Sequence, residues 1–297
     1  MSFIDDLQGA VQGAAQQVGP SIVGIGRHRR GSGVVIGAGQ VLTNAHNLRG
    51  DEVTVTFGDG RSAVGTVRGI DRDGDLAVIG VDTGDAPAIG WATETNLAVG
   101  SVVFGAAASR SSGSRVTLGT VSAIGRAFRG PGGRRISGSI EHTAPLASGS
   151  SGGALLDGAG HFVGLNTNRI GEGFYLALPA DASLRERVES LAGGSSVERP
   201  RLGVAIAPGF VARRLRRSVG LPDRAGLLVR EVEDDSSAAA AGIARGDLIV
   251  SVAGTAVTDA DELLDAIGAA REPFEITLVR GADELTVTVG AAAQRAN

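Results

Sequence analysis

The sequence predicts a mainly β protein that ends in a smaller domain of mixed α+β type. About ten short apolar runs separated by glycine follow one another between residues 21 and 178, with no helical stretch between them. Such spacing is typical of all-β barrels and sandwiches. The 47 glycines and the 3% of aromatic residues also favour short strands and tight turns. A chain of 297 residues is long enough for about two domains of roughly 150 residues each.

The chain is predicted to begin with an amphipathic helix over residues 1–18. Ser2 and Asp5 have the spacing of a capping box, and apolar residues recur at helical intervals as far as Val18. This apolar stripe has no partner within its own segment. We therefore expect the helix to pack on the first barrel of the next domain or between subunits.

Two domains are predicted to follow this helix. The β-rich domain covers residues 19–192 and should end in a helix that Asp181 caps. Residues 193–200, GGSSVERP, have the composition of a linker. The second domain covers residues 201–292. Its best helix is DADELLDAIGAA, where Thr258 and Asp261 have capping-box spacing.

Composition argues against several classes of function. The net charge of −4 gives no reason to expect nucleic-acid binding, and the arginine clusters are interpreted as solvated surface. With no cysteine in the chain, disulfides are excluded. The N-terminus lacks the regions of a signal peptide, and no apolar run is long enough to cross a membrane. As written, the sequence predicts a cytoplasmic protein, or an exported one if the chain has been truncated.

Three segments carry residues that could attack an amide. His46 follows an apolar strand in VLTNAH, Asp75 precedes one in DRDGDLAVIGV, and Ser151 lies in GSSGG. Attack by a serine hydroxyl requires a base, an acid that orients the base, and donors aimed at the developing oxyanion. The order His, Asp, Ser is the order of the chymotrypsin triad. Gly149 could turn its N–H and that of Ser151 into one oxyanion hole.

Each segment also has a simpler interpretation. A lone histidine is most often structural, Asp75 could be a turn residue, and GSSGG could be a flexible loop. The apolar residues that flank GSSGG argue against a linker. The glycine of DRDGD is not where an EF-hand requires it, and GSGVVIG lacks dinucleotide-binding spacing. We therefore expect no metal and no cofactor.

Taken together, these motifs resemble the HtrA/Deg family of trypsin-like serine proteases. The triad segments of that family are similar to TNAH, DLAVIGVD and GSSGG. Three further strings fall where the family has similar ones: PSIVGI, VTLGTVSAIGR and FYLALP. Its PDZ domain is resembled by RLGVAI, AAAAGIARGDLIVSVAGTAV and DELLDAIGAA. The resemblance covers nearly all of residues 19–290. It implies a chymotrypsin-like double six-stranded β-barrel followed by an α+β PDZ domain.

The sequence departs from the family in two places near the serine. The family's GNSGGP is GSSGGA here, with Ser150 and Ala154 as the replacements. EHTAPLAS replaces QTDAAINP, so His142 and Thr143 are unusual near the specificity pocket. These departures put substrate preference in doubt more than catalysis.

The resemblance implies a role for each site residue in the β-rich domain. Ser151 would attack, His46 would take and return the proton, and Asp75 would orient His46. A substrate-binding strand, Asn166, Thr167 and Asn168, would pair with the substrate backbone. The pocket walls, residues 144–149 and 166–169, are uncharged apart from Arg169, which suggests small or medium apolar side chains before the cut.

In the PDZ domain the resemblance implies a site for the C-terminal ends of peptides. A loop containing Leu202 and Gly203 would capture the carboxylate through backbone N–H groups. Val204 to Ile206 would receive the peptide as an added strand. Leu263 and Ile267 would line an apolar pocket beside it.

The family further implies ATP-independent cleavage of unfolded or damaged proteins, often by homo-trimers. The expected partners are misfolded polypeptides and peptide C-termini, with neither nucleic acid nor a membrane span involved. Two other classes of function stay open. One is a proteolytically silent chaperone or scaffold with the same fold. The other is a peptide-binding module in which the barrels are only structural.

Overall fold

The computed structural model describes residues 2–27, 30–93, 97–109, 113–130, 135–196, 202–207 and 209–290. The chain divides into two compact units, Met1–Glu198 and Arg199–Asn297. Residues 197–201, which hold part of the predicted linker and the first residue of the predicted PDZ domain, lie outside the described residues.

The first unit contains two closed antiparallel barrels of six strands each. The first barrel has the strand order β1-β2-β3-β6-β5-β4, formed by β1 (Ile22–Ile25), β2 (Gly31–Gly37), β3 (Gln40–Thr43), β4 (Glu52–Thr56), β5 (Ser62–Asp71) and β6 (Leu76–Gly80). The second has the order β10-β11-β12-β9-β8-β7, formed by β7 (Val102–Ala108), β8 (Ser114–Arg129), β9 (Arg135–His142), β10 (Ala154–Leu156), β11 (Phe162–Arg169) and β12 (Tyr175–Pro179). The predicted double six-stranded β-barrel is confirmed.

Several strands read as continuous apolar runs because both of their faces are buried. Alternate side chains of β1, β3 and β6 fill the first barrel, among them Val23, Ile25, Val41 and Ile79. The intervening side chains pack in a cluster shared with the second barrel, which includes Ile22, Leu42, Val78, Phe104 and Leu165. This shared cluster is the apolar base on which the loops of the site are built.

Two helices border the barrels. Helix α1 (Phe3–Val18) has the predicted capping box between Ser2 and Asp5. It contacts β7 and β8 of the second barrel, with Ala14 and Val18 buried in the cluster between the barrels. The helix therefore packs against both barrels, with its strand contacts on the second and its buried side chains in the cluster that includes Ile22 and Leu42 of the first. The expected packing between subunits stays a prediction. Helix α2 (Ala182–Ala192) is capped by Asp181 as predicted.

The second unit is a mixed domain with one antiparallel sheet. The sheet has the order β13-β14-β15-β17-β18, with β16 paired to β15. Its elements are β13 (Val204–Ala207), α3 (Gly209–Ser218), β14 (Leu227–Val232), α4 (Ser237–Ala240), β15 (Leu248–Val252), β16 (Thr255–Ala256), α5 (Ala260–Ala269), β17 (Phe274–Arg280) and β18 (Asp283–Val289). Strand β13 lies at one edge, and among the described residues β14 is its only partner.

Two details of this unit correct the sequence analysis. Helix α3 was not expected, and within it Arg216 is buried, with its guanidinium donating to the carbonyls of Pro222 and Gly281. That arginine is therefore not part of a solvated surface. Asp259 caps helix α5, and its carboxylate accepts from the amides of Asp261 and Glu262. The predicted capping box with Thr258 is therefore wrong. No helix in the described ranges is both long and apolar enough to span a membrane.

Candidate active site

The first barrel brings His46 and Asp75 together. His46 lies in a 3₁₀ turn after β3, and Asp75 lies in the turn between β5 and β6. Both carboxylate oxygens of Asp75 are 2.9 Å from His46 Nδ1. Because a carboxylate only accepts, Nδ1 carries the proton and the lone pair of the imidazole is on Nε2. Asp75 is 1% exposed, whereas the His46 side chain is 29% exposed.

The position of Asp75 is held by a constrained backbone and by further donors. Its φ of +54° is in the left-handed region, which non-glycine residues adopt at a cost, although aspartate adopts it more often than most. The amide of His46 donates to one carboxylate oxygen at 3.1 Å. The hydroxyl of Thr167 donates to the other at 2.7 Å. Asn44 Nδ2 holds the Asp75 carbonyl.

The Ser151 loop connects β9 to β10 in the second barrel and is held by the first barrel. The carbonyl of Ser151 accepts from the Ser32 amide at 2.8 Å and from Asn47 Nδ2 at 2.9 Å. The next residue, Gly152, has φ +86°, and a Cβ there would lie 2.1 Å from the Ser32 carbonyl oxygen. Only glycine fits at that position, which explains part of the GSSGG string.

In this structure the Ser151 hydroxyl is bonded to a carbonyl instead of the histidine. Ser151 Oγ donates to the Thr167 carbonyl at 2.7 Å. Among the described residues no hydrogen bond joins Ser151 to His46, although both side chains line one cavity. Thr167 therefore bonds two residues of the site, because its hydroxyl donates to Asp75 and its carbonyl accepts from Ser151.

Two backbone amides beside Ser151 are free to bind an oxyanion. Within the described ranges neither the N–H of Gly149 nor that of Ser151 donates to a protein acceptor. The Gly149 carbonyl accepts a hydrogen bond from Ser32 Oγ at 2.8 Å, and this bond fixes one end of the loop. The arrangement is compatible with the expected oxyanion hole.

The predicted substrate strand is only partly available. Asn166 already uses its amide for Gly153 and its carbonyl for Gly152. Thr167 and Asn168 lie in a bulge, where the pairing of β11 with β12 is interrupted between Asn166 and Arg169. The backbone groups left for a substrate therefore belong to Thr167 and Asn168.

His142 and Thr143 have different structural roles. His142 is fully buried, donates from Nε2 to Asn166 Oδ1 at 3.0 Å, and stacks on Tyr175. The acceptor role of Asn166 Oδ1 is set by its amide group, which donates to Ala154. Burial lowers the pKa of His142 to about 4, while the hydrogen bond to Asn166 opposes that change. Thr143 bonds Thr120 of the neighbouring strand β8: its hydroxyl accepts from the Thr120 amide and donates to the Thr120 carbonyl, and the two hydroxyls are 3.4 Å apart.

The residues of the site surround a cavity of about 500 Å³. Its walls are His46, residues 146–151, residues 166–169 and Tyr175. In the part of the chain that the structure describes, no cluster of His, Asp or Glu side chains could hold a metal ion. Asp71, the first acid of the DRDGD turn, is bonded to Arg187 and to the Gly74 amide.

Sequence reasoning missed the side chains that support these residues. Thr167 was expected to offer only its backbone, and Ser32, Asn44 and Asn47 were not singled out. Asn47 directly follows His46 in the sequence, so its proximity to the site could have been inferred. Ser32 carried no such signal, because only the closure of the barrels brings it to the serine loop.

The candidate PDZ residues are also placed by the structure. In the described ranges the amides of Leu202 and Gly203 have no protein acceptor, whereas their carbonyls are bonded. Gly203 has φ +75°, and a Cβ there would lie 2.3 Å from Ser236 Cβ. Val204 and Ile206 pack against the core of this unit, and Leu263 and Ile267 are each 4% exposed within it.

Two six-stranded barrels with a His–Asp pair and a serine loop facing one cavity define the class of trypsin-like serine peptidases. The family model of the trypsin-like peptidase domain matches residues 31–165, and that of the PDZ domain matches residues 228–280. The chain is 35% identical over 284 residues to the serine protease HhoA of Synechocystis sp., covering 90% of this chain and 71% of that protein. It therefore belongs to the HtrA family of serine proteases and is a serine endopeptidase with a C-terminal PDZ domain.

Other relatives agree with this assignment. A protein of Halomonas elongata, named as a DegP-like periplasmic serine endoprotease, is 32% identical over 91% of this chain. The present chain spans 59% of that relative's length. The solved structure of the HtrA-type protease AlgW with a decapeptide has a TM-score of 0.67 and 25% identity, covering 97% of this chain and 99% of that one.

Proposed function

We propose that this chain cleaves unfolded or damaged polypeptides without ATP, through an acyl-enzyme on Ser151. One observation carries the proposal. The Asp75 carboxylate holds the proton of His46 on Nδ1, so the Nε2 lone pair is available in the cavity that also contains Ser151.

The chemistry then follows from the groups present. An extended substrate would donate a backbone N–H to the Thr167 carbonyl, displacing the Ser151 hydroxyl toward His46. The serine oxygen forms a bond to the substrate carbonyl carbon as His46 takes its proton, and the amides of Gly149 and Ser151 bind the oxyanion. His46 passes the proton to the leaving amine as the C–N bond breaks. Water then attacks the acyl carbon as His46 takes its proton, and His46 gives that proton to Ser151 Oγ as the ester C–O bond breaks, which releases the acid.

Cleavage of casein with two serine variants tests this proposal. Ser151→Ala should lower the rate by roughly 10⁴-fold or more, because the nucleophile is lost and the oxyanion donors stay. Ser150→Ala is the matched control and should retain activity. Greater damage from the control would show that the nucleophile had been assigned to the wrong serine.

The alternative function is a proteolytically silent chaperone or scaffold. The observation in its favour is the hydrogen bond from Ser151 to Thr167, which holds the hydroxyl away from His46. Suppression of casein aggregation without any cleavage by the wild-type protein would support this alternative. Cleavage that depends on Ser151 would exclude it.

We further propose that the PDZ domain binds the C-termini of peptides. The free amides of Leu202 and Gly203 support carboxylate capture, and the open edge of β13 supports addition of a peptide strand. Peptides that end in an apolar residue should bind with micromolar affinity in a fluorescence anisotropy assay. The same peptides with an amidated C-terminus should bind much more weakly, and equal affinity would refute carboxylate capture.

Assembly and location are also proposals. We propose a homo-trimer, which sedimentation velocity would distinguish from a monomer. The DegP-like relatives are named as periplasmic, and on that ground we propose an exported location in place of the cytoplasmic one that the sequence suggested. Fractionation of cells that express the native gene would decide between the two compartments.

A further inference from the structure

The cavity beside Ser151 contains one cation that catalysis does not use. Arg169 lies at the end of the β11 bulge and pairs with Tyr175 of β12. Cross-strand partners project to the same face of a sheet. The Arg169 guanidinium accordingly lies over the Tyr175 ring, 5.9 Å from its centroid, and both residues line the cavity.

The guanidinium of Arg169 is only partly engaged. Its Nε donates to the Gly171 carbonyl at 2.9 Å. Among the described residues its two terminal nitrogens have neither a carboxylate partner nor another acceptor. None of the described residues that line the cavity has an acidic side chain, since Asp75 is buried behind His46.

The remaining uncommitted polar side chains of the cavity can each donate a hydrogen bond, and the hydroxyls among them can also accept one. In the described part of the chain, the hydroxyls of Ser148 and Tyr175 have no protein partner. Asn168 uses its Oδ1 for the Arg169 amide, which leaves its amide nitrogen free. The Asn166 side chain has no group left for a ligand, because its Oδ1 accepts from His142 and its Nδ2 donates to the Ala154 carbonyl.

A cavity with one cation, several free donors and no anion is complementary to a carboxylate. We infer that the residue before the scissile bond is preferably acidic, with Arg169 as the residue that sets this preference. The inference rests on the proposed function, since it names the substrate class of that same site. It replaces the expectation of small or medium apolar side chains, which treated Arg169 as an exception in an uncharged wall.

The test uses four quenched fluorescent peptides that differ only in the residue before the cut, which is Glu, Gln, Val or Lys. Glu and Gln have nearly the same shape, so their ratio isolates the charge. The wild-type kcat/KM should be about tenfold higher for Glu than for Gln, as a charge-assisted hydrogen bond allows. The Lys peptide should be the poorest substrate.

Two variants with the same change of net charge assign this preference to a residue. Arg169→Gln should reduce the Glu to Gln ratio to about one. Arg68→Gln, on the exposed side of β5, is the matched control and should keep the wild-type ratio. Salt should lower the wild-type ratio, because the charges meet at the rim of the cavity.

The failure of this inference is distinguishable from the failure of the proposed function. Cleavage with equal rates for Glu and Gln, or with Val preferred, would overturn the acidic preference and leave proteolysis intact. No cleavage of casein or of any peptide would overturn the proposed function instead. If casein alone is cut, mass spectrometry of its products gives the residue before each cut, and a lack of Glu and Asp there would refute the inference.

Discussion

Protonation of His142 should couple the stability of the protease unit to pH. The side chain is fully buried, and burial lowers its pKa to about 4. In the unfolded chain a histidine titrates near 6.5. As the pH falls below about 6.5, His142 becomes protonated in the unfolded chain but stays neutral in the folded protein, so the free energy of unfolding decreases. The loss ends near pH 4, where the folded state is protonated as well.

The size of this effect follows from the two pKa values. Their separation corresponds to a total loss of about 3 kcal/mol at 25 °C. Between pH 7 and pH 5 the linkage relation gives a loss of about 2 kcal/mol from this one residue. That is a large fraction of the 5–15 kcal/mol that is typical for domains.

The assay compares urea unfolding of the wild type with that of His142→Gln at pH 7 and pH 5. Glutamine does not titrate and can still donate to Asn166 Oδ1. Trp91, the single tryptophan, packs edge-on against Phe162 with ring centroids 4.8 Å apart, so its emission reports unfolding of this unit. The variant should lose about 2 kcal/mol less than the wild type between the two pH values. Equal losses in the two proteins would refute the role assigned to His142.

Four further predictions concern other parts of the protein. Thr167→Val should lower kcat about tenfold with little change in KM, since it removes the buried donor to Asp75; an unchanged kcat in peptide kinetics would show that this hydrogen bond is dispensable. Gly203→Ala should abolish peptide binding by anisotropy while circular dichroism keeps its folded signal, because the added Cβ collides with Ser236 in a left-handed backbone. Deletion of residues 1–18 should lower the melting temperature by removing two buried apolar side chains, and an unaltered melting curve would contradict that packing. EDTA should leave casein cleavage unaffected. Inhibition of cleavage by EDTA would indicate that the DRDGD turn binds a metal ion after all.

The sequence alone was sufficient to predict most of the fold. Apolar runs of strand length bounded by glycine predicted the strands of both barrels, because a strand buried on two faces must be apolar along its length. Caps such as Ser2 and Asp181 marked helix starts, since they act within three or four residues. Helix α3 (Gly209–Ser218) was missed because it is short and its run of arginines was interpreted only as solvated surface. Arg216 could be assigned to the interior only from the carbonyls that surround it.

For the site, the sequence supplied residue types and their order along the chain, which is enough to suggest a His–Asp–Ser triad. It could not supply hydrogen bonds between distant segments. Thr167 and Asp75 are 92 residues apart, and Ser151 and Asn47 are 104 residues apart. Such contacts depend on how the two barrels pack against each other, and no local sequence pattern predicts that packing. Only the tertiary structure therefore decided that the Ser151 hydroxyl donates to the Thr167 carbonyl, that His142 is buried with a lowered pKa, and that Arg169 lines the cavity beside Ser151.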